Sequence, residues 1–156
     1  MAKEIERKFL VKNADFKNWA FKSIEIQQGY VSTDPERTVR VRLKDDKAFL
    51  TLKSKNIGIE RDEWEYQIPV SDAKEILERM CTKRILKTRY LVDYEGLTWE
   101  IDEFHGKLDG LVVAEVELQS PDIQISLPQF IGREVSDNPS YYNSALLDRD
   151  SVEGLI

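Results

Sequence analysis

Charged and apolar residues alternate at period two along several segments, beginning with the run from Glu4 to Val11. This alternation predicts β-strands, because successive side chains of a strand point to opposite faces. In the first segment Glu4, Glu6 and Lys8 share one face, and Ile5 and Phe9 share the other. The same pattern predicts eight strands, at residues 3–11, 23–32, 37–44, 47–55, 60–69, 83–94, 97–104 and 110–119.

Short turns and a few helices connect these strands. Asp45-Asp46 and Glu95-Gly96 each predict a tight hairpin. Helices are expected at 71–80, capped by Ser71 or Asp72, and at 140–147, and residues 15–21 are expected to form a short helix or a turn. Eight mostly hairpin-linked strands favour a closed antiparallel β-barrel with flanking helices, an α+β fold that is mainly β.

The length and composition indicate one soluble domain. A chain of 156 residues can bury a sizeable core, and we expect a single domain over 1–148 followed by a loose tail at 149–156. No apolar run approaches the roughly 20 residues that span a bilayer, so we expect no membrane partner. The net charge of −6 argues against general nucleic-acid binding.

The rare residue types narrow the chemistry. Cys81 is the only cysteine, which excludes an intramolecular disulfide, and no apolar signal segment precedes the first strand. We therefore expect a cytoplasmic protein. His105 is the only histidine, which argues against a His/Cys zinc site and against Ser-His-Asp catalysis. A metal in this protein would be a hard cation held by oxygen atoms.

Two arrangements can accommodate strands that have one charged and one apolar face. In the ordinary one the apolar faces fill the barrel, and strand pattern alone favours it. In the inverted one charges line the interior, and the apolar exterior packs under helices or against a second copy of the chain. A homodimer is one way to cover such an exterior.

The distribution of charge favours the inverted arrangement. Three strands are predominantly cationic on their charged face, and three others carry acidic pairs. Like charges in a confined space are costly, and a bound polyanion would relieve the cationic strands. Acidic pairs suit a divalent cation that bridges carboxylates to phosphate oxygens. The cationic faces hold Arg40, Arg42, Lys53, Lys87 and Arg89, and the acidic pairs are Glu4/Glu6, Glu100/Asp102 and Glu115/Glu117.

These residues resemble the CYTH superfamily, the triphosphate tunnel metalloenzymes, and in particular its compact bacterial members. Glu4-Ile5-Glu6-Arg7-Lys8 matches the E-x-E-x-K signature of that family. Further segments resemble family motifs in the family's order, so the resemblance covers nearly the whole chain. They are Gln28-Gly29-Tyr30, Val39-Arg40-Val41-Arg42, Thr51-Leu52-Lys53, Lys87-Thr88-Arg89-Tyr90, Ile101-Asp102-Glu103-Phe104, Ala114-Glu115-Val116-Glu117-Leu118 and Gly132-Arg133-Glu134-Val135 with Tyr141, Asn143 and Ala145.

The resemblance implies an eight-stranded barrel whose charged tunnel binds a linear triphosphate with Mg²⁺ or Mn²⁺. By the same resemblance, Glu63 and Glu65 support the acidic set and Tyr30 is a candidate proton acceptor, although a structural tyrosine is an equal alternative. Glu4 and Glu6 are implied to act in catalysis as well. The implied phosphate-binding residues are Lys8, Arg40, Arg42, Lys53, Lys87 and Arg89, and the implied metal ligands are Glu4, Glu6, Asp102, Glu115 and Glu117.

Three functions remain open at this point. The first is metal-dependent hydrolysis of inorganic triphosphate to pyrophosphate and phosphate. The second is nucleotide chemistry in the same fold, as in a class IV adenylate cyclase or a nucleoside or thiamine triphosphatase. The third is a polyphosphate binder without catalysis. No segment is an obvious reader of a nucleobase, and both acidic pairs are present, so we favour the first.

Overall fold

The computed structural model describes residues 2–156 of the chain, which form strands joined mostly by hairpins, with three short α-helices. The elements in chain order are β1 Ala2–Val11, α1 Phe16–Trp19, β2 Lys22–Ser32, β3 Thr38–Lys44, β4 Lys47–Lys53, β5 Glu60–Ile68, α2 Val70–Met80, β6 Ile85–Tyr94, β7 Leu97–Phe104, β8 Val112–Glu117, β9 Ile131–Glu134 and α3 Asn143–Leu146.

The first eight strands close into an antiparallel barrel, in the order β1-β5-β4-β3-β2-β6-β7-β8 and back to β1. Strand β1 completes the ring, because it pairs with β8 from Glu6 to Leu10 and with β5 from Ala2 to Ile5. The predicted fold class is therefore confirmed. Strand β9 was not predicted, since Pro121 and Pro128 mark the preceding segment as a loop; it pairs with β1 at Phe9 and Val11.

Two predicted hairpins depend on residues with left-handed backbone. Asp45 has a φ of 51°, and Glu95 and Gly96 have φ values of 50° and 78°. Such conformations match the right-handed twist of the strands that a tight hairpin joins. Asp45 also accepts a hydrogen bond from the backbone N–H of Glu25 at 2.9 Å, which ties the hairpin to β2.

The barrel has the inverted arrangement, with its apolar faces turned outward and partly covered by helices and loops. Helix α2 places Ala73 and Leu77 over Val41 and Ala48, and all four side chains are buried. A Cβ atom at Gly29 would lie 2.9 Å from Leu77 Cδ2, so the glycine allows the helix to lie this close to β2. The apolar exterior of β2, β3 and β4 is thus partly covered within the chain itself.

The opposite side of the barrel is covered by α1 and by the segment before β9. Trp99, Ile101 and Val116 form the centre of this second cluster, under Phe16 and Phe130. Burying large aromatic side chains of this kind stabilises the fold by roughly 1.5–3 kcal/mol for each. Among the residues that the structure describes, no helix combines the length and the apolar character that crossing a bilayer requires.

Three expectations about the helices and the C-terminus need correction. Helix α2 begins at Val70 after Pro69, without a side-chain cap from Ser71 or Asp72. The expected final helix is a 3₁₀ turn followed by the four-residue α3. The tail is not loose, because Leu155 is 2% exposed and its carbonyl accepts a hydrogen bond from Tyr141 Oη at 3.0 Å. The domain boundary at 148 stays a prediction.

Candidate active site

The interior of the barrel holds a polar cavity of about 200 Å³ that most of the strands line. Its wall is charged almost throughout, as the inverted arrangement requires. The cavity is lined by Glu4, Glu6, Lys8, Tyr30, Thr38, Arg40, Arg42, Lys44, Lys53, Arg61, Glu63, Glu65, Lys87, Arg89, Glu100, Glu115, Glu117, Tyr142, Asn143 and Ser144.

Strand register explains why these side chains meet. Residues paired across an antiparallel sheet point to the same face, so one inward residue fixes its partners on both sides. Glu6 is paired with Glu117, and Lys8 is paired with Glu115. All but one of the residues proposed from the sequence therefore line the cavity, and the exception is Asp102.

Asp102 lies in the wall as a buried counter-ion. It is paired with Arg89 in the register and is 1% exposed. Its two carboxylate oxygens accept hydrogen bonds from Arg89 at 2.8 and 3.0 Å, and one lies 2.7 Å from Lys87 Nζ. Burial would raise the pKa of Asp102, but Arg89 and Lys87 outweigh it and hold that pKa below its usual value.

Lys87 and Arg89 are thereby held on the β6 side of the cavity. Burial lowers the pKa of Lys87 to about 8, although Asp102 opposes the shift. Asn143 of α3 accepts a hydrogen bond from Lys87 Nζ at 2.9 Å. Arg89 also donates to Glu100 at 2.8 Å.

Arg40 and Arg42 form a second cationic group on β3. Burial, together with the neighbouring charges of Arg40 and Arg89, lowers the pKa of Arg42 to about 9. Glu65 Oε2 lies 3.3 Å from Arg40 Nη2 and 3.5 Å from Arg42 Nη2. The Nε atoms of both arginines are buried and have no hydrogen-bond partner among the described residues, so they are free donors.

The carboxylates of β1 and β8 lie close enough to repel one another. Burial, Glu115 and Glu4 raise the pKa of Glu6 well above its usual value. Burial also acts to raise the pKa of Glu115, but Lys8, Arg89 and Lys87 overcome it and hold that pKa well below its usual range. Glu115 Oε1 also lies 3.5 Å from Lys8 Nζ. A cation would relieve this crowding.

The donor chemistry fits a hard divalent cation, since carboxylate oxygens are the ligands that Mg²⁺ and Mn²⁺ prefer. Within residues 2–156, no three Asp, Glu, His or Cys side chains are already arranged as a ligand set. Glu4 instead lies 3.3 Å from Lys53 Nζ, and Glu115 lies 3.5 Å from Lys8 Nζ. A bound metal ion would therefore have to replace the present ion-pair partners of these carboxylates.

Tyr30 is buried and lines the cavity. Its hydroxyl oxygen accepts a hydrogen bond from Gln28 Nε2 at 2.9 Å, and that amide also contacts Asn143 Oδ1 at 3.4 Å. With an acceptor position of the phenol already used, its own hydrogen is available to an anion in the cavity.

Sequence reasoning gave no site role to several residues that the structure places there. The parity of β7 was enough to place Glu100, named above in an acidic pair, inside with Asp102. The parity of β4 was enough to place Thr51, which contacts the cavity-lining Glu65, on the same face as Lys53. Tyr142 and Asn143 reach the cavity from the C-terminal segment, and no local pattern indicates this. Lys44 and Arg61 also line the cavity, whereas Lys55 is exposed and does not.

Comparison with known proteins agrees with this architecture. The family described as the CYTH domain matches residues 2–148. The chain therefore belongs to the CYTH domain family, as its motifs predicted. An inorganic triphosphatase of Acetivibrio thermocellus is 47% identical over 148 residues, covering 94% of each chain. An inorganic triphosphatase of Nitrosomonas europaea is 36% identical over 148 residues, covering 92% of this chain and 95% of the relative.

Solved structures give the same result for the fold. The crystal structure of an inorganic triphosphatase has 33% sequence identity to this chain and a TM-score of 0.69. The match covers 95% of this chain and 99% of that one. A protein from Pyrococcus horikoshii is 23% identical with a TM-score of 0.60, and the match covers 76% of this chain and 80% of that one. The second likeness concerns the fold alone.

Proposed function

We propose that this protein hydrolyses inorganic triphosphate to pyrophosphate and phosphate in the barrel cavity, with Mg²⁺ or Mn²⁺. The observation that carries the proposal is the paired composition of the wall. Buried arginine and lysine side chains, two of them with unused Nε donors, face a crowded set of carboxylates across a cavity of about 200 Å³. Two relatives that share 47% and 36% of their residues with this chain are inorganic triphosphatases.

In this proposal the lysine and arginine side chains bind the anion and align its phosphoryl groups. Lys8, Arg40, Arg42, Lys53, Lys87 and Arg89 would supply charge-assisted hydrogen bonds. Each such bond is worth more inside the barrel than in water, because the local dielectric constant is low. Asp102 serves this function indirectly, as the counter-ion that fixes the ammonium of Lys87 and the guanidinium of Arg89.

The acidic wall would hold the metal through Glu4, Glu6, Glu115 and Glu117. A bound divalent cation neutralises phosphate oxygens and lowers the pKa of a coordinated water. Burial and the neighbouring carboxylates raise the pKa of Glu6, and a cation held there would oppose that shift. Tyr30, with its hydroxyl positioned by Gln28, would donate to a phosphate oxygen. In this proposal water adds to a terminal phosphorus and releases a proton to solvent, the bridging P–O bond breaks, and phosphate and pyrophosphate are formed.

A substrate panel tests this proposal. We expect phosphate release from inorganic triphosphate with Mg²⁺ or Mn²⁺, none in a chelator, and much slower release from ATP and thiamine triphosphate. Faster turnover of ATP, or formation of a cyclic nucleotide, would instead favour nucleotide chemistry. Binding of triphosphate with no release under either metal would favour a non-catalytic binder.

The variant Glu6→Ala tests the metal site, and Glu25→Ala is its matched control. In the proposed site it should lower Mn²⁺ affinity, measured by electron paramagnetic resonance, as well as the rate. Glu25→Ala removes a carboxylate from the exterior, where it bonds to Thr88 at 2.9 Å, and should change neither. An unchanged Mn²⁺ affinity in Glu6→Ala would exclude this residue as a ligand.

A further inference from the structure

Arg40, Thr51 and Glu65 form a row across three neighbouring strands on the inner face. Arg40 is paired with Thr51 in the β3–β4 register, and Thr51 is paired with Glu65 in the β4–β5 register. Because threonine is short, the guanidinium and the carboxylate can meet above it. Glu65 Oε2 accepts a hydrogen bond from Thr51 Oγ1 at 2.8 Å and lies 3.3 Å from Arg40 Nη2.

The single oxygen Glu65 Oε2 is thus surrounded by three donors. Arg42 Nη2 is the third, at 3.5 Å. Two guanidinium groups and a hydroxyl that converge on one anionic oxygen form the kind of site that binds a phosphoryl oxygen. Thr51 is fully buried; its hydroxyl donates to Glu65 and accepts a hydrogen bond from Arg40 Nη2 at 3.3 Å.

Glu65 differs from the buried counter-ion Asp102 in being open to solvent, as Glu100 also is with a side chain that is 31% exposed. The Glu65 side chain is 32% exposed, while the side chains of Arg40 and Arg42 are 9% and 8% exposed. A glutamate at this position can rotate toward water without uncovering the apolar core. The arginines and Thr51, by contrast, are fixed within the sheet.

We propose that the Glu65 carboxylate occupies, in the free protein, the position of one phosphoryl group of the substrate, and that Thr51 donates to that phosphoryl group once Glu65 has moved. The inference rests on the proposed function and adds a subsite to it. Glu65 offsets part of the charge of the two arginines while the cavity is empty, and it competes with the incoming anion. The apparent affinity for triphosphate is then reduced by the fraction of molecules in which Glu65 is bound.

Glu65→Gln tests the competition. Inorganic triphosphate is titrated calorimetrically into the full-length protein in a chelator, so that metal does not contribute. The variant should bind about tenfold more tightly, because an amide competes weakly with a phosphate for two arginines. Equal or weaker binding would overturn the proposal.

Two further variants separate competition from a general charge effect. Glu117→Gln removes the same charge from the cavity wall without releasing either arginine, so its gain should be clearly smaller. Glu25→Gln, on the exterior, should bind as the unmodified protein does. A gain in Glu117→Gln equal to that in Glu65→Gln would overturn the proposal, since bulk charge would explain both.

Thr51 is tested in the Glu65→Gln background. Thr51→Val should weaken triphosphate binding about tenfold, and Thr51→Ser, which keeps the hydroxyl, should restore it. If valine and serine give the same affinity, Thr51 is not part of the subsite. Circular dichroism and a thermal unfolding curve of each variant show whether the barrel is intact.

These binding measurements can fail independently of the proposed function. If the unmodified protein hydrolyses triphosphate but Glu65→Gln shows no gain, only the subsite is wrong. If triphosphate binds, and binds more tightly to Glu65→Gln, but is never hydrolysed, the subsite stands and the hydrolase function fails.

Discussion

The two cationic groups of the cavity, one on β6 and one on β3, have counter-ions of opposite character. Lys87 and Arg89 are held by Asp102, whose side chain is 1% exposed. Arg40 and Arg42 are held by Glu65, whose side chain is 32% exposed. The chemistry of the pairs is the same, but burial makes the first counter-ion a permanent part of the fold and leaves the second one displaceable.

This difference indicates that a charged cavity wall needs both buried counter-ions and displaceable ones. A buried cation without a partner is strongly destabilising, so some of the cations need an internal carboxylate for the chain to fold. A cation that is fully satisfied inside the protein has less to offer an incoming anion. The barrel combines a fixed set that stabilises the fold with a set that can exchange its carboxylate for a phosphate.

The largest expected effect comes from breaking the fixed pair. Asp102→Asn leaves Lys87 and Arg89 without a buried counter-charge and should lower the free energy of unfolding by about 3–5 kcal/mol. Urea denaturation measures the change. Glu65→Gln, measured in the same way, should cost less than about 1 kcal/mol because its pair is partly solvated. Similar losses in both variants would contradict the distinction between the two sites.

An intermediate effect is expected from the arginines themselves. Arg42→Ala should raise KM for triphosphate about 10–100-fold with a small change in stability, since a charged hydrogen bond contributes about 1.5–3 kcal/mol. Arg89→Ala should also weaken binding, but it leaves the buried Asp102 with Lys87 as its remaining ion-pair partner and should destabilise the barrel. Steady-state kinetics and urea denaturation of the two variants distinguish them, and equal stability would show that Asp102 does not depend on Arg89.

The smallest effect on stability is expected for an ion pair outside the barrel. Arg7 donates to Glu134 of β9 at 2.7 and 2.9 Å. The side-chain hydrogen bond from Arg7 lowers the pKa of Glu134. Glu134→Gln should therefore cost about 0.5 kcal/mol near neutral pH.

The pH dependence of this pair follows from the lowered pKa. Its stabilisation is complete above the pKa of the unfolded glutamate and is lost as the pH falls through the folded value. The difference in unfolding free energy between the two proteins should thus shrink in acid. A difference that grows in acid would show that the hydrogen bonds do not favour the ionised carboxylate.

Most of the fold could be predicted from the chain, because the evidence for it is local. Period-two alternation and hairpin residues such as Glu95-Gly96 mark strands and turns without reference to distant residues. Strand β9 escaped prediction, since it is four residues long and forms only because β1 offers a free edge at Phe9 and Val11. The burial of Leu155 could not be predicted from its own segment, because it depends on a surface that other segments form.

For the site, the sequence by itself determined which side chains share a face of each strand, since parity is a property of the local backbone. That is enough to group Glu4 with Glu6 and Lys8. Tertiary structure alone decided that these faces turn inward and which strands stand opposite each other, because both depend on closure of the sheet. It brought Glu65 to Arg40, buried Asp102 under Lys87 and delivered Asn143 from the C-terminal segment. Charge patterning supplied the list of candidates, and packing decided which of them are paired and which can exchange partners.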